Sequence, residues 1–388
     1  MSVAPDVVVL GSSPTGLHAV REAAKSGLSV GLLDTVRGCA YSSRYVSKAK
    51  VIGVAELTDV LQSWQQPGKR PLLIPTSDVW IEALMNALPG VEERVRVFGG
   101  YRDVAGTLLD KLDFHALCAR LGMATPGVWQ AEDREALRDL ASAIPFPCIL
   151  KPALIHRARG YLKGRKVLLA RTQAEYLAHV DAMPDSLGAW LVQEIVPGAE
   201  SAITLFGGYI DQSGQPRQCF TGRKLRQYPA GFGSASLVTS QPCEETLRLT
   251  LDFLRRIGFR GICGAEYKRD PRDGQLKIIE INPRPTLWFQ ATHDAGCRIV
   301  EAACQDMASA EALPVTRLRN DVRWRYLLKD LASARFYRRN DDFIFPRPDV
   351  SGAAGTRHPS WPVFDWRDPV PALVEPFGFL RKAVERAS

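Results

Sequence analysis

No run of about 18 apolar residues occurs in this chain, so no segment is expected to cross a bilayer as a helix. The opening MSVAPDVVVLGSS has no basic stretch followed by a long apolar one, and no secretory signal is expected. The eight cysteines form no Cys-x-x-Cys pair. Most stand in apolar surroundings, which argues against zinc or a disulfide framework and for buried thiols in a reducing, cytoplasmic setting. There is no internal repeat, no low-complexity tract and no long basic arm. No grouping of Ser, His and Asp, or of Cys and His, suggests a protein nucleophile.

What is present is an ordinary globular balance, 46% apolar and 24% charged. The 388 residues are enough for two or three domains at roughly 100–200 residues each. The formal charge of +8 is spread along the chain, with short clusters such as RWRYLLKD (323–330) and ARFYRRNDD (334–342). Charge of this kind suits small anions, and no nucleic-acid or membrane partner is expected.

DVVVL, GSSPTGLHAVREAAKSG and SVGLLD read as a strand, a helix stopped at Gly27 and a second strand, a βαβ unit. Gly11 and Gly16 allow a tight turn where a phosphate could meet a helix N-terminus. GSSPTG lacks the middle glycine of a dinucleotide fingerprint, so a Rossmann-like scaffold without a dinucleotide is favoured, and Asp34 reads as a cap or a pocket acid. PLLIPTSDVWIEALMNAL adds a strand and a helix. A helix is expected over 107–121, strands over 146–153, 164–170 and 190–196, and a helix over 172–183. A hairpin turning at Ser213-Gly214 and a helix over 244–259 come next. GICGAEYKRDPRDGQLKIIEINPR is a second hairpin with Asp-Gly at its tip. WRYLLKDLASARFY reads as helical, the Pro- and Gly-rich stretch after it as irregular, and the C-terminus as a helix.

The second hairpin carries the chemistry. Alternate strand residues share a face, so Ile279 and Ile281 point one way and Glu280, Asn282 and, roughly, Arg284 the other. The hairpin can bring Glu266 across from Glu280. Two carboxylates and an amide oxygen on one face suit a hard cation such as Mg²⁺ with room left for phosphate oxygens; a solvated polar face is the alternative. Arg284 has the planar fork for a phosphate or carboxylate. Lys151 ends the apolar strand FPCILKP, where a solvated lysine is out of place, and Lys111 opens the preceding helix. QEIVPGAE offers Gln193, Glu194, the backbone of Ile195 and Val196, and Glu200. His18 and His115 read as structural. His293 could line a pocket, and Trp288 and Phe289 read as core.

In this order the residues resemble the ATP-grasp superfamily, from LLDKLDFHALCARLGMATP through FPCILKP and WLVQEIVPGAE to the second hairpin, over about residues 105–305. YPAGFGSASLV, EYKRDPRDG and FDWRDPVPAL look most like the carboxylate–amine ligase branch, with D-aspartate ligases and mycosporine-forming ligases among similar proteins. The resemblance implies an α/β (α+β) ATP-grasp fold. Its parts would be a Rossmann-like N-terminal domain (1–105), two ATP-grasp subdomains (106–196 and 197–310) and a C-terminal extension (311–388).

The resemblance also implies roles. Lys111 and Lys151 would meet the α- and β-phosphates of ATP. Gln193, Glu194, Ile195 and Val196 would edge the adenine, and Glu200 would meet the ribose. Glu266, Glu280 and Asn282 would hold a pair of Mg²⁺ ions, or Mn²⁺ in their place. Arg284 would neutralise the γ-phosphate and an acyl phosphate. Lys224 and Lys268 could meet phosphate or be exposed strand lysines. A basic stretch with His156, Arg157, Arg159, Lys163, Arg165 and Lys166 replaces the usual glycine- and serine-rich loop and reads as a flap. The implied activity is ATP-dependent joining of a small carboxylate to an amine, in a family where homodimers are common. Activation of an enol or hydroxyl oxygen, a nucleotide-binding regulator without turnover, and a NAD(P)-dependent oxidoreductase remain the alternatives.

Overall fold

The computed structural model describes residues 4–152, 162, 167–184, 189–309 and 317–387, the stretch 379–387 as backbone alone. The expected flap residues His156, Arg157, Arg159, Lys163, Arg165 and Lys166 lie outside the described residues. Three sheets organise the rest. The first holds β1 (Val7–Leu10), β2 (Val30–Asp34), β3 (Val46–Val51) and β4 (Leu72–Pro75), all parallel in the order β3-β2-β1-β4. β1 and β4 are buried throughout, as expected of parallel strands covered on both faces. The connections run one way from β1 through β2 to β3, while β4 lies on the other side of β1. The crevice beyond the carboxyl ends of β1 and β4 is therefore a topological switch point, where open α/β sheets take their ligands.

The second sheet holds β5 (Val128–Ala131), β6 (Cys148–Pro152), β7 (Leu168–Ala170) and β8 (Trp190–Glu194), antiparallel in the order β5-β8-β6-β7. The third holds β9 (Ile203–Ile210), β10 (Pro216–Tyr228), β11 (Ser234–Ser240), β12 (Gly261–Arg269), β13 (Leu276–Asn282), β14 (Val322–Arg325) and β15 (His358–Ser360) in the order β13-β12-β9-β10-β11-β14-β15. One apolar core runs from Val8 and Ile74 of the first sheet to Leu205, Trp288 and Trp324 around the third. The two sheets are thereby fixed against each other by burial, at roughly 1.5–3 kcal/mol for each large apolar side chain.

Three expectations change. The helix expected over 107–121 is broken at Asp110, whose carboxylate accepts the N–H groups of Leu112 and Asp113 at 2.8 and 3.0 Å and caps a fresh helix, Lys111–Arg120. WRYLLKDLASARFY is not all helix: Trp324 and Arg325 belong to β14, which pairs with β11, and the helix starts at Leu327. The stretch read as irregular contributes β15 to the sheet edge. The eight cysteines are free thiols, all buried or partly buried.

Candidate active site

The β12–β13 hairpin turns at Gly274 with φ of 71°, a left-handed conformation that glycine alone adopts freely. Its register sets Glu266 directly opposite Glu280, and Asn282 opposite Gly264. Lys224 on β10 and Lys268 on β12 both flank Ile203 of the intervening β9. From there the Lys224 ammonium crosses β9 to bond the Glu266 carboxylate, and it donates to Gln227 Oε1 at 3.2 Å. Lys224 is buried, which rules out the exposed alternative. Glu280 Oε1 accepts from Asn282 Nδ2 at 3.0 Å. Burial pushes the Glu280 carboxyl upward, but the cations Lys224 and Lys111, the Asn282 hydrogen bond and Arg284 outweigh it and hold it below its ordinary range.

Among the described residues no group of three or more His, Cys, Asp and Glu side chains makes a metal cage. Glu266, Glu280 and Asn282 are instead an open set of hard oxygens. That set fits Mg²⁺, which keeps positions for substrate phosphates and water.

The second sheet supplies the facing wall. Lys151 Nζ donates to Gln193 Oε1 at 2.6 Å between adjacent strands. Lys111 stands at the first position of its helix, beside the helix-terminal N–H groups. His115, one turn on, is held neutral: burial first, then Lys151 and Lys111, lower its pKa to about 4. The side chain of Glu194 accepts the Gly127 N–H at 2.9 Å and pairs with Arg272 at 2.5 Å and Lys277 at 3.7 Å. Both cations also pair with the buried Asp270. Glu200 is buried and accepts the N–H groups of Gln227 and Gly231 at 3.1 and 2.5 Å.

Lys268 differs from its expected role. It is buried, and its ammonium donates to the carbonyls of Val196 and Gly198 at 2.9 and 2.8 Å, so it clamps the loop after β8. Burial lowers its pKa to about 8.

A single cavity of about 1500 Å³ is lined by Lys111, Lys151, Gln193, Glu194, Ile195, Val196, Glu200, Lys224, Glu266, Lys268, Glu280, Asn282 and Arg284. The first sheet's carboxyl edge and the C-terminal extension close its other side.

No family model matches the chain. A D-aspartate ligase of Enterococcus faecium is 26% identical over 186 residues, 46% of this chain and 44% of that protein. The carbamoyl phosphate synthase large chain of Thermus thermophilus is 26% identical over 208 residues, 50% of this chain and 19% of that one. This chain thus spans less than half the length of either relative. Among solved structures, an N5-carboxyaminoimidazole ribonucleotide synthetase in complex with ADP superposes with a TM-score of 0.65 at 12% identity, covering 82% of this chain and 81% of that one. The chain has the ATP-grasp fold.

Several features of this ATP-grasp cavity escape the sequence. Arg284 does not stand free: its Nε donates to Asp78 Oδ1 at 2.7 Å, at the start of the helix Asp78–Val91. Tyr326, Lys329 and Glu375 line the cavity from the C-terminal extension. Tyr326 donates its hydroxyl to Glu375. Nothing local in WRYLLKD or in FDWRDPVPAL signals that approach. His293 is not among the cavity's lining residues and sits on buried Glu22 at 3.0 Å. His18 is buried beside the same carboxylate. Trp288 is buried, and it is also among the cavity's lining residues. No described helix is long and apolar enough to cross a membrane.

Proposed function

We propose that this chain is an ATP-dependent ligase that activates a small carboxylate as an acyl phosphate and joins it to an amine, releasing ADP and phosphate. One observation carries the reading. Lysines 111, 151 and 224, Arg284 and the facing pair Glu266 and Glu280 line one cavity between two sheets. Positive charge around a pair of acids serves a polyanion that arrives with its cation.

Lys111, Lys151 and Lys224 would bind the triphosphate. Glu266, Glu280 and Asn282 would hold Mg²⁺, which supplies charge neutralisation between the phosphates and the incoming carboxylate. Arg284, on leaving Asp78, would orient the carboxylate and spread the charge of the transferring phosphoryl group. A carboxylate oxygen takes the γ-phosphoryl group and ADP departs. The amine then attacks the acyl carbon, phosphate leaves with the carboxylate's oxygen, and the amine loses a proton. No protein nucleophile is required.

The test is ADP release with ATP and Mg²⁺ across a grid of amino acids and small carboxylates. Release that needs one acid and one amine together is expected. Nucleotide binding without release for any pair would favour a regulator. With an oxygen-isotope-labelled carboxylate, the label is expected in the phosphate. Unlabelled phosphate would favour activation of an enol or hydroxyl oxygen.

A further inference from the structure

The turn GSSPTG is not absorbed by nucleotide chemistry on the lysine side, yet it faces the same cavity. β1 ends at Leu10, and Gly11 takes a φ of 113°. The helix Pro14–Lys25 begins three residues later. A side chain at Gly16 would put its Cβ 1.9 Å from the Gly11 carbonyl oxygen, so the turn stays folded tightly over the helix start. A dinucleotide reading loses its acid here. Asp34 accepts the N–H and hydroxyl of Ser12, each at 2.6 Å, and the indole N–H of Trp80 at 3.1 Å. With the Thr35 N–H on its other oxygen at 2.7 Å, both oxygens are engaged and neither is left for a ribose.

The start of that helix is unusually bare. Ser13 makes no capping hydrogen bond, and the first turn has no acid. Pro14 has no N–H. The first helical N–H to find a carbonyl is that of Leu17, on Ser13 at 2.9 Å. Thr15 is 6% exposed and lines the cavity, and its hydroxyl has no hydrogen-bond partner among the described residues.

Ser12 brings a cation to this place. Its hydroxyl donates to the Val36 carbonyl at 3.0 Å and accepts the Gly38 N–H at 2.8 Å. These bonds hold the backbone on either side of Arg37 beside the helix start; the Arg37 side chain is exposed and lines the same cavity. It has no ion pair among the described residues.

We propose that Thr15, Arg37 and the N-terminal N–H groups of the helix Pro14–Lys25 form an oxyanion subsite at the sheet's switch point. A helix N-terminus carries about half a positive charge and unsatisfied donors. Arg37 adds a planar fork that matches a carboxylate or phosphate. The subsite lies on the cavity wall built by the first sheet, whereas Lys151 and Lys224 lie on the other two sheets and Lys111 opens the helix Lys111–Arg120. It rests on the ligase reading only in naming the occupant: one ligase substrate carries a second anionic group, a carboxylate or a phosphate monoester, that is held and not activated.

The experiment is calorimetric titration of the full chain saturated with Mg²⁺ and the non-hydrolysable analogue AMP-PNP, using succinate in one arm and ribose 5-phosphate in the other. One arm is expected to show binding. Thr15→Val and Arg37→Gln should each weaken it about tenfold, the value of one good charged hydrogen bond. Arg37→Lys should recover part of the loss, and AMP-PNP affinity should stay within about twofold. The proposal is overturned if neither probe binds the saturated protein, or if both variants bind as the parent does. If AMP-PNP itself fails to bind, the ligase reading falls. Succinate and ribose 5-phosphate titrated into the nucleotide-free chain and its Thr15→Val variant then still decide the subsite.

Discussion

Glu280 stands amid more positive charge than one carboxylate needs. Lys111, Lys224 and Arg284 all act on it, and together with Asn282 they overcome its burial. Such an excess is costly in an empty pocket and useful when a triphosphate enters it. Glu280→Gln keeps the shape, removes the charge and leaves Glu266 paired with Lys224. ADP formation should fall at least about 100-fold, as for other groups aimed at developing charge, with the thermal unfolding midpoint unchanged. Normal turnover in that variant would remove Glu280 from the chemistry. The facing of Glu266 and Glu280 is only partly legible from sequence: strand alternation groups Glu280 with Asn282, but it is a one-residue register shift between Glu266 and Tyr267 that brings Glu266 opposite Glu280. The Lys224–Glu266 bond is not legible, since it crosses an intervening strand that no local pattern reveals. Arg284 is legible as a cation near the site, but its bond to Asp78 spans 206 positions.

At the scale of elements, strands and helices with strong periodicity follow from the sequence, and the exceptions have local causes. Asp110 offers its carboxylate to two N–H groups and so restarts a helix that apolar spacing alone would run through. β14 is four residues long, too short for alternation to separate it from the helix that follows. Lys268 shows an element held by another: a β12 side chain fixes the loop after β8 through two carbonyls. That loop carries the backbone expected at the adenine edge. Lys268→Met keeps most of the buried stem and loses both bonds, at about 1.5–3 kcal/mol for hydrogen bonds to a charged group. AMP-PNP affinity, read by calorimetry, should drop about tenfold or more. Unchanged affinity would mean that the loop's position does not govern nucleotide binding.

The whole molecule is closed by its two ends. Arg21, in the first helix, donates its Nε to Asp368 Oδ2 at 3.0 Å and its two terminal nitrogens to the carbonyls of Val363 and Asp368, each at 2.8 Å. Ser43 Oγ and the Arg44 N–H complete the Asp368 carboxylate at 2.7 and 3.0 Å. The two charged side chains are 4% and 1% exposed. A pair so enclosed adds little net stability over an apolar substitute, but removing one partner strands the other. Asp368→Ala leaves the Arg21 guanidinium buried with only carbonyls for company, and should cost about 3–5 kcal/mol. A urea titration would read this as a lower midpoint with the slope kept, since the surface exposed on unfolding is nearly the same. A loss under about 1 kcal/mol would mean that water reaches Arg21 and that the extension is loosely seated. The extension matters to the cavity because Tyr326, Lys329 and Glu375 are part of its wall. The same variant should therefore raise the concentration of substrate needed for half-maximal ADP release, even at temperatures where it remains folded.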